Sequence, residues 1–178
     1  EHCVSLLKPQ YMSAIFPADA VKETFSEDDF LRNILVDSTV AAAAFCTVGP
    51  AIDAYIDDCF AAGEFFKGMI ADVVGNRAVE KAGHACSDFI CEAVAAQSLF
   101  PLCMVSPGYG RWDVSAQQPL FSLLDPAPVG IHLNEYCMMQ PKKSLSFLIP
   151  FGDTVPERKL EDSCRQCTFK NCAYRRRT

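Results

Sequence analysis

The chain reads as an α+β protein, with helices packed against an antiparallel sheet. Half of its 178 residues are hydrophobic, enough to bury a real core within a unit of one-domain size. Apolar residues at helical spacing gather between residues 52 and 96, while most of the short runs of strand length follow residue 100. Helices and strands therefore come in blocks and not in strict alternation, the pattern of helices set against an antiparallel sheet.

Taken in order, residues 1–22 look irregular and proline-punctuated, and residues 25–35 mix acidic and apolar side chains as a short helix or an edge segment would. The first 38 residues are expected to form an arm, residues 39–153 the core, and residues 154–178 a charged, cysteine-bearing tail. Residues 40–48 are small and apolar and are bounded by Gly49-Pro50, which suits a buried strand or a buried helix; periodicity does not choose between them. After Pro50, Ile52, Tyr55, Ile56 and Cys59 recur at helical spacing until Gly63. A second helical stretch covers residues 64–74. A third spans residues 76–96, where Val79, Ala82, Cys86, Phe89, Ile90 and Ala93 form one apolar stripe, with Asn76 as N-cap and Glu80 in the first turns. Residues 100–105 read as a strand, 116–124 as a short helix, and 130–139 and 144–149 as strands.

Four segments stand out for their chemistry. Ser106-Pro107-Gly108-Tyr109-Gly110 combines a fixed proline angle with two glycines, so that a ligand can lie against bare backbone beside Tyr109. Taken alone, such a run is most often a plain helix–strand connection. Residues 134–146 carry Met138, Met139 and the pair Lys142-Lys143 around Pro141, which reads as strand, turn and strand with core methionines. Gly75-Asn76-Arg77-Ala78-Val79-Glu80 precedes both. Cys164, Cys167 and Cys172 close the chain in a polar setting, at a C-x-x-C-x4-C spacing that supplies three thiolates for a zinc or iron–sulfur site, the fourth ligand to come from another cysteine, a histidine or an external group. A redox-active pair and a zinc knuckle without catalytic role remain open alternatives.

In this order, the four segments resemble the activation domain of vitamin B12-dependent methionine synthase, and more closely the short stand-alone members of that family, which carry a cysteine-rich C-terminal tail. The resemblance runs from about Thr39 to Arg176. It implies a twisted antiparallel sheet, with residues 40–48 as a strand. It also implies an accessory protein that binds S-adenosylmethionine for the reductive remethylation of a cobalamin-dependent methionine synthase or related corrinoid protein. A cob(II)alamin trapped by oxidation needs an electron, from a flavodoxin- or ferredoxin-type donor, and a methyl cation equivalent. The corrinoid would be carried by the partner, and catalysis would consist of positioning.

By the same resemblance, Glu80 would pair with the ammonium and sulfonium of the ligand, and Ser106, Pro107, Gly108 and Tyr109 would form the rest of its seat. Met138, Met139 and the exposed lysines would suit a face meeting the corrinoid. The chain departs from the family at Met104, where an arginine typically grips the ligand carboxylate. Either Arg77 or Arg111 substitutes, or the chain is a docking module for a corrinoid protein that no longer binds S-adenosylmethionine. Family members usually begin with a further segment, so residues upstream of Glu1 are expected.

Composition narrows the rest. A formal net charge of −6 argues against a nucleic-acid backbone as partner, with the arginines at 175–177 read as a solvated end. No run approaches the roughly 20 apolar residues that span a bilayer, and no secretory signal is visible, so the cytoplasm is the default expectation. The ten cysteines are scattered through helical patterns, which reads as mostly reduced core thiols. His2, His84 and His132 lack metal-ligand spacing, and no nucleophile–histidine order, P-loop or dinucleotide fingerprint is present.

Overall fold

A computed structural model describes residues 2–154 of the chain. The elements run α1 (His2–Ser5), β1 (Gln10–Pro17), α2 (Ala18–Thr24), α3 (Asp29–Ile34), β2 (Val40–Thr47), α4 (Ala51–Ala61), α5 (Phe65–Ala95), β3 (Phe100–Pro101), α6 (Gln117–Leu123), β4 (His132–Leu133), β5 (Met139–Gln140) and β6 (Ser144–Gly152). Short 3-10 turns at Val114–Ala116 and Ala127–Val129 flank α6. The molecule is α+β: a four-stranded antiparallel sheet in the order β1-β2-β6-β3, with β4 and β5 forming a separate hairpin.

β2 and β6 form the centre of the sheet and are buried on both faces. Ala42, Ala44 and Cys46 of β2, with Phe147, Ile149 and Phe151 of β6, face a cluster built on Cys86, Ile90 and Val94 of α5. The alternate residues Ala41, Ala43, Phe45 and Leu148 face the other way, onto Val21, Phe25, Leu31, Trp112 and Leu120. Strand pleating thus sends successive side chains into two different cores. This is why residues 40–48 show an unbroken apolar run with no alternation to read: both faces are covered. The strand implied by the resemblance is present.

Four expectations change. Residues 1–22 are not irregular: they hold α1, β1 and most of α2, and β1 pairs along its whole length with β2, from Gln10↔Thr47 to Pro17↔Val40. The prolines fall at its borders, Pro9 before it and Pro17 as its last residue, so they frame the strand and do not interrupt it. The segment read as a strand over residues 100–105 keeps only two paired residues and one isolated bridge, Val105↔Leu148. Residues 130–139 are likewise not one strand. Asn134 Oδ1 accepts the backbone N–H groups of Tyr136 and Met138 at 3.0 and 2.9 Å, folding the segment into the turn between β4 and β5.

The largest correction concerns the two helices expected over residues 64–74 and 76–96. They are one helix of 31 residues, α5. Gly75 does not break it, because its missing side chain makes room for the stem of Lys143: a Cβ there would stand 3.1 Å from two of that stem's carbons. Asn76 is therefore mid-helix and not an N-cap. Its Nδ2 donates to Asp72 Oδ2 at 3.0 Å, and its Oδ1 accepts from Lys143 Nζ at 2.8 Å. Glu80 follows at the middle of the helix and not in its first turns.

The cysteines at 3, 46, 59, 86, 91, 103 and 137 are free thiols, and Cys46, Cys59, Cys86 and Cys137 are buried. Cys46 of β2 and Cys86 of α5 touch across the sheet–helix interface, both with no exposed surface. The neighbouring Cys86 thiol, together with burial, pushes Cys46 well above the ordinary thiol range.

Candidate functional site

The turn at residues 106–110 follows the strand-like stretch that ends at the Val105 bridge. Gly108 and Gly110 have φ of 84° and 62°, the left-handed region that glycine enters at no steric cost. Pro107 is buried, while Tyr109 between the two glycines is 70% exposed. The turn is closed by backbone bonds, from Tyr109 N–H to Ser106 C=O at 3.1 Å and from Gly108 N–H to Trp112 C=O at 2.9 Å. Its base is anchored by Trp112, which is buried against Phe25 at 5.7 Å between ring centroids and donates its indole N–H to Asp28 Oδ2 at 2.7 Å. The geometry is a hydrogen-bonded platform that holds one aromatic ring in solvent.

Glu80 lies elsewhere. It sits on α5, which covers the opposite face of the sheet from the Trp112 cluster. Its Oε2 accepts from Arg77 Nη1 at 3.1 Å, one turn away, and both side chains are more than half exposed. Met104, the position at which the family's arginine is expected, packs partly buried against the α5 cluster. Of the two arginines expected to replace it, Arg77 pairs with Glu80.

Arg111 is not so committed. It lines a cleft of about 610 Å³ between the turn joining α2 to α3 and the stretch after the glycine turn. Glu27, Asp28, Asp29, Trp112 and Asp113 also line this cleft, and neither Glu80 nor Tyr109 does. Phe66, Met69, Ile70, Val73 and Val74 on the first turns of α5 form an open apolar patch. The expected constellation is therefore gathered only in part: Ser106, Pro107, Gly108 and Tyr109 form one turn, and Glu80 shares no described cavity with them.

Lys142 and Lys143, both expected at the surface, have different surroundings. Lys142 Nζ reaches both carboxylate oxygens of Asp57 at 2.9 Å, which raises its pKa. Lys143 is 9% exposed, with Nζ between Asp72 Oδ1 at 2.5 Å and Asn76 Oδ1. Asp53, which sequence reasoning passed over, accepts the backbone N–H of Lys142 at Oδ2 at 2.5 Å and fixes the start of β6 against α4. Burial raises its pKa, and its Oδ1 is buried without a hydrogen-bond partner. A carboxylate in an otherwise apolar helix stripe, one residue after Ile52, was the signal available for it.

Among the described residues no group of three or more histidine, cysteine or acidic side chains is arranged to hold a metal ion. Cys164, Cys167 and Cys172 lie outside the described residues. No helix among the described residues is long and apolar enough to cross a membrane. Comparison with protein-family models finds no match, and comparison with curated proteins finds none either.

Proposed function

We propose that the protein is an accessory factor that holds S-adenosylmethionine for the reductive remethylation of a cobalamin-dependent methionine synthase or related corrinoid protein. One observation carries the reading: the platform of residues 106–110, with two left-handed glycines and an exposed Tyr109. No proton-transfer machinery is needed there. The work is to seat the ligand and turn its methyl group toward cobalt, while a flavodoxin- or ferredoxin-type donor supplies the electron. Glu80 belongs to this reading through the resemblance alone. Cys164, Cys167 and Cys172 would bind zinc or an iron–sulfur cluster beside that chemistry.

Calorimetric titration with S-adenosylmethionine is the test. Binding in the micromolar range that weakens about tenfold or more in Tyr109→Ala, with no loss of thermal stability, supports the proposal. No heat at millimolar ligand ends it. A second reading then takes its place, a docking module for a corrinoid protein without a cofactor of its own. The packing of Met104 into the α5 cluster favours it, since no guanidinium stands at that position.

A further inference from the structure

The outward face of α5 changes character halfway along the helix. Phe66, Ile70 and Val73 stand exposed in one row, and the row continues at the same helical spacing as Arg77, Lys81, His84 and Asp88, also exposed. A helix face in solvent is ordinarily polar along its length; here only the second half is. Met69 widens the apolar half, and Phe65 and Phe60 carry it around the corner between α4 and α5, where their ring centroids lie 6.2 Å apart. The Phe60 ring is seated on Gly68, where a Cβ would stand 3.1 Å from it. Judged from their fractional exposures, these six side chains present roughly 600 Å² of apolar surface, at the top of the range found on monomeric proteins. Among the described residues they remain uncovered.

We propose that this stripe is a self-association surface, on which a second copy of the chain packs its own α5 antiparallel about a two-fold axis between Met69 and Ile70. The charges bordering the stripe are already neutralised within the chain: Lys67 pairs with Glu64, Lys143 with Asp72 and Arg77 with Glu80. No unpaired charge there selects nucleic acid, an anionic membrane or a charged peptide, and two identical borders meet without like-charge repulsion. The stripe is also complementary to itself. Phe66 and Val73 lie equally far from the axis on either side, so the large ring of one copy falls opposite the small side chain of the other, and Met69 falls opposite Ile70. Covering the stripe on both copies removes about 1,200 Å² from water, the lower bound of specific interfaces, which fits a reversible dimer with a Kd in the micromolar range. Trp112 at the base of the glycine turn lies on the opposite face of the sheet, so the dimer leaves the ligand platform open and is independent of what binds there.

Sedimentation equilibrium on the whole chain, from about 1 to about 300 μM, is the experiment. The wild type is expected to climb from the monomer mass toward twice that value. Met69→Lys and Ile70→Glu, each alone, are expected to stay monomeric, because the two-fold axis sets an unpaired charge into an apolar contact and raises Kd by about 100-fold or more. An equimolar mixture of the two variants is expected to recover the dimer, since the lysine of one copy then meets the glutamate of the other across the axis. Both positions are exposed, so the dilute variants should match the wild type in circular dichroism. A wild type that stays monomeric over the whole range overturns the proposal, as does a dimer that both variants leave intact or a mixture that fails to recover it. A monomeric wild type that binds vesicles of neutral phosphatidylcholine, with the binding lost in Met69→Lys, assigns the stripe to a lipid surface and overturns the dimer.

Discussion

Single side chains account for much of what positions the candidate site. Asp53 clamps the backbone at Lys142 with one oxygen and leaves the other buried and unpartnered. Its pKa is raised by burial, so the folded state prefers the protonated acid. Its effect on stability is therefore least unfavourable at low pH, and stability is lost as pH climbs from the unfolded carboxylate value through the raised folded one. Asp53→Asn removes that titration while keeping an acceptor for Lys142. Denaturant titrations of both proteins should show the variant gaining relative to wild type between about pH 4 and pH 7, where an unfolded aspartate passes from half-protonated to ionised; a difference that is flat across this window would show Asp53 to be unshifted. The sequence displayed the ligand platform at this scale, since Pro107, Gly108 and Gly110 declare a turn by their backbone chemistry alone. It did not display which lysine of the 142–143 pair is buried. That depends on Gly75 opening a berth on a helix nearly 70 positions earlier, and no local signal records it.

At the scale of elements, α5 is the clearest case of tertiary context overruling a local cue. Gly75-Asn76 has the look of a stop followed by a cap, and both residues are instead consumed by Lys143. The distinction is measurable. A proline at position 76 is tolerated if a helix begins there, but inside a continuous helix it removes a hydrogen bond and collides with the preceding turn, at a cost of about 3 kcal/mol or more. Asn76→Pro should lower the midpoint of chemical denaturation accordingly, and near-wild-type stability would restore the two-helix picture. β1 was hidden for a different reason. As an edge strand it has one partner, its buried positions are only half covered, and Tyr11 and Ile15 remain exposed, so the apolar alternation that marks a half-buried strand is blurred. β6 was legible from Ser144 to Ile149 and extends three residues further, to Gly152. α6 was legible almost to the residue, because its apolar positions feed a single core.

For the whole molecule, the architecture is three layers: α5 on one face of the sheet, the sheet itself, and α2, α3, α6 and Trp112 on the other face. Leu148 of β6 lies, with no exposed surface, in the core shared with α2, α3 and α6. Leu148→Ala is expected to cost about 2–5 kcal/mol in equilibrium unfolding, the range for a cavity in a packed interior. By contrast, Phe66, Met69, Ile70 and Val73 stand exposed in one stripe on the first turns of α5. Met69→Lys should leave stability within about 0.5 kcal/mol and reduce the binding of a hydrophobic dye. The fold class could be read from blocks of periodicity, but the separation of Glu80 from the glycine turn could not, because it is set by which face of the sheet each segment covers.

The contact between Cys46 and Cys86 gives this layering a built-in clock. Neither sulfur meets solvent while α5 lies on the sheet, so an alkylating reagent can capture them only when that helix lifts away. Timed labelling followed by peptide mass analysis would report how often the helical layer parts from the strands, without any probe having to be introduced.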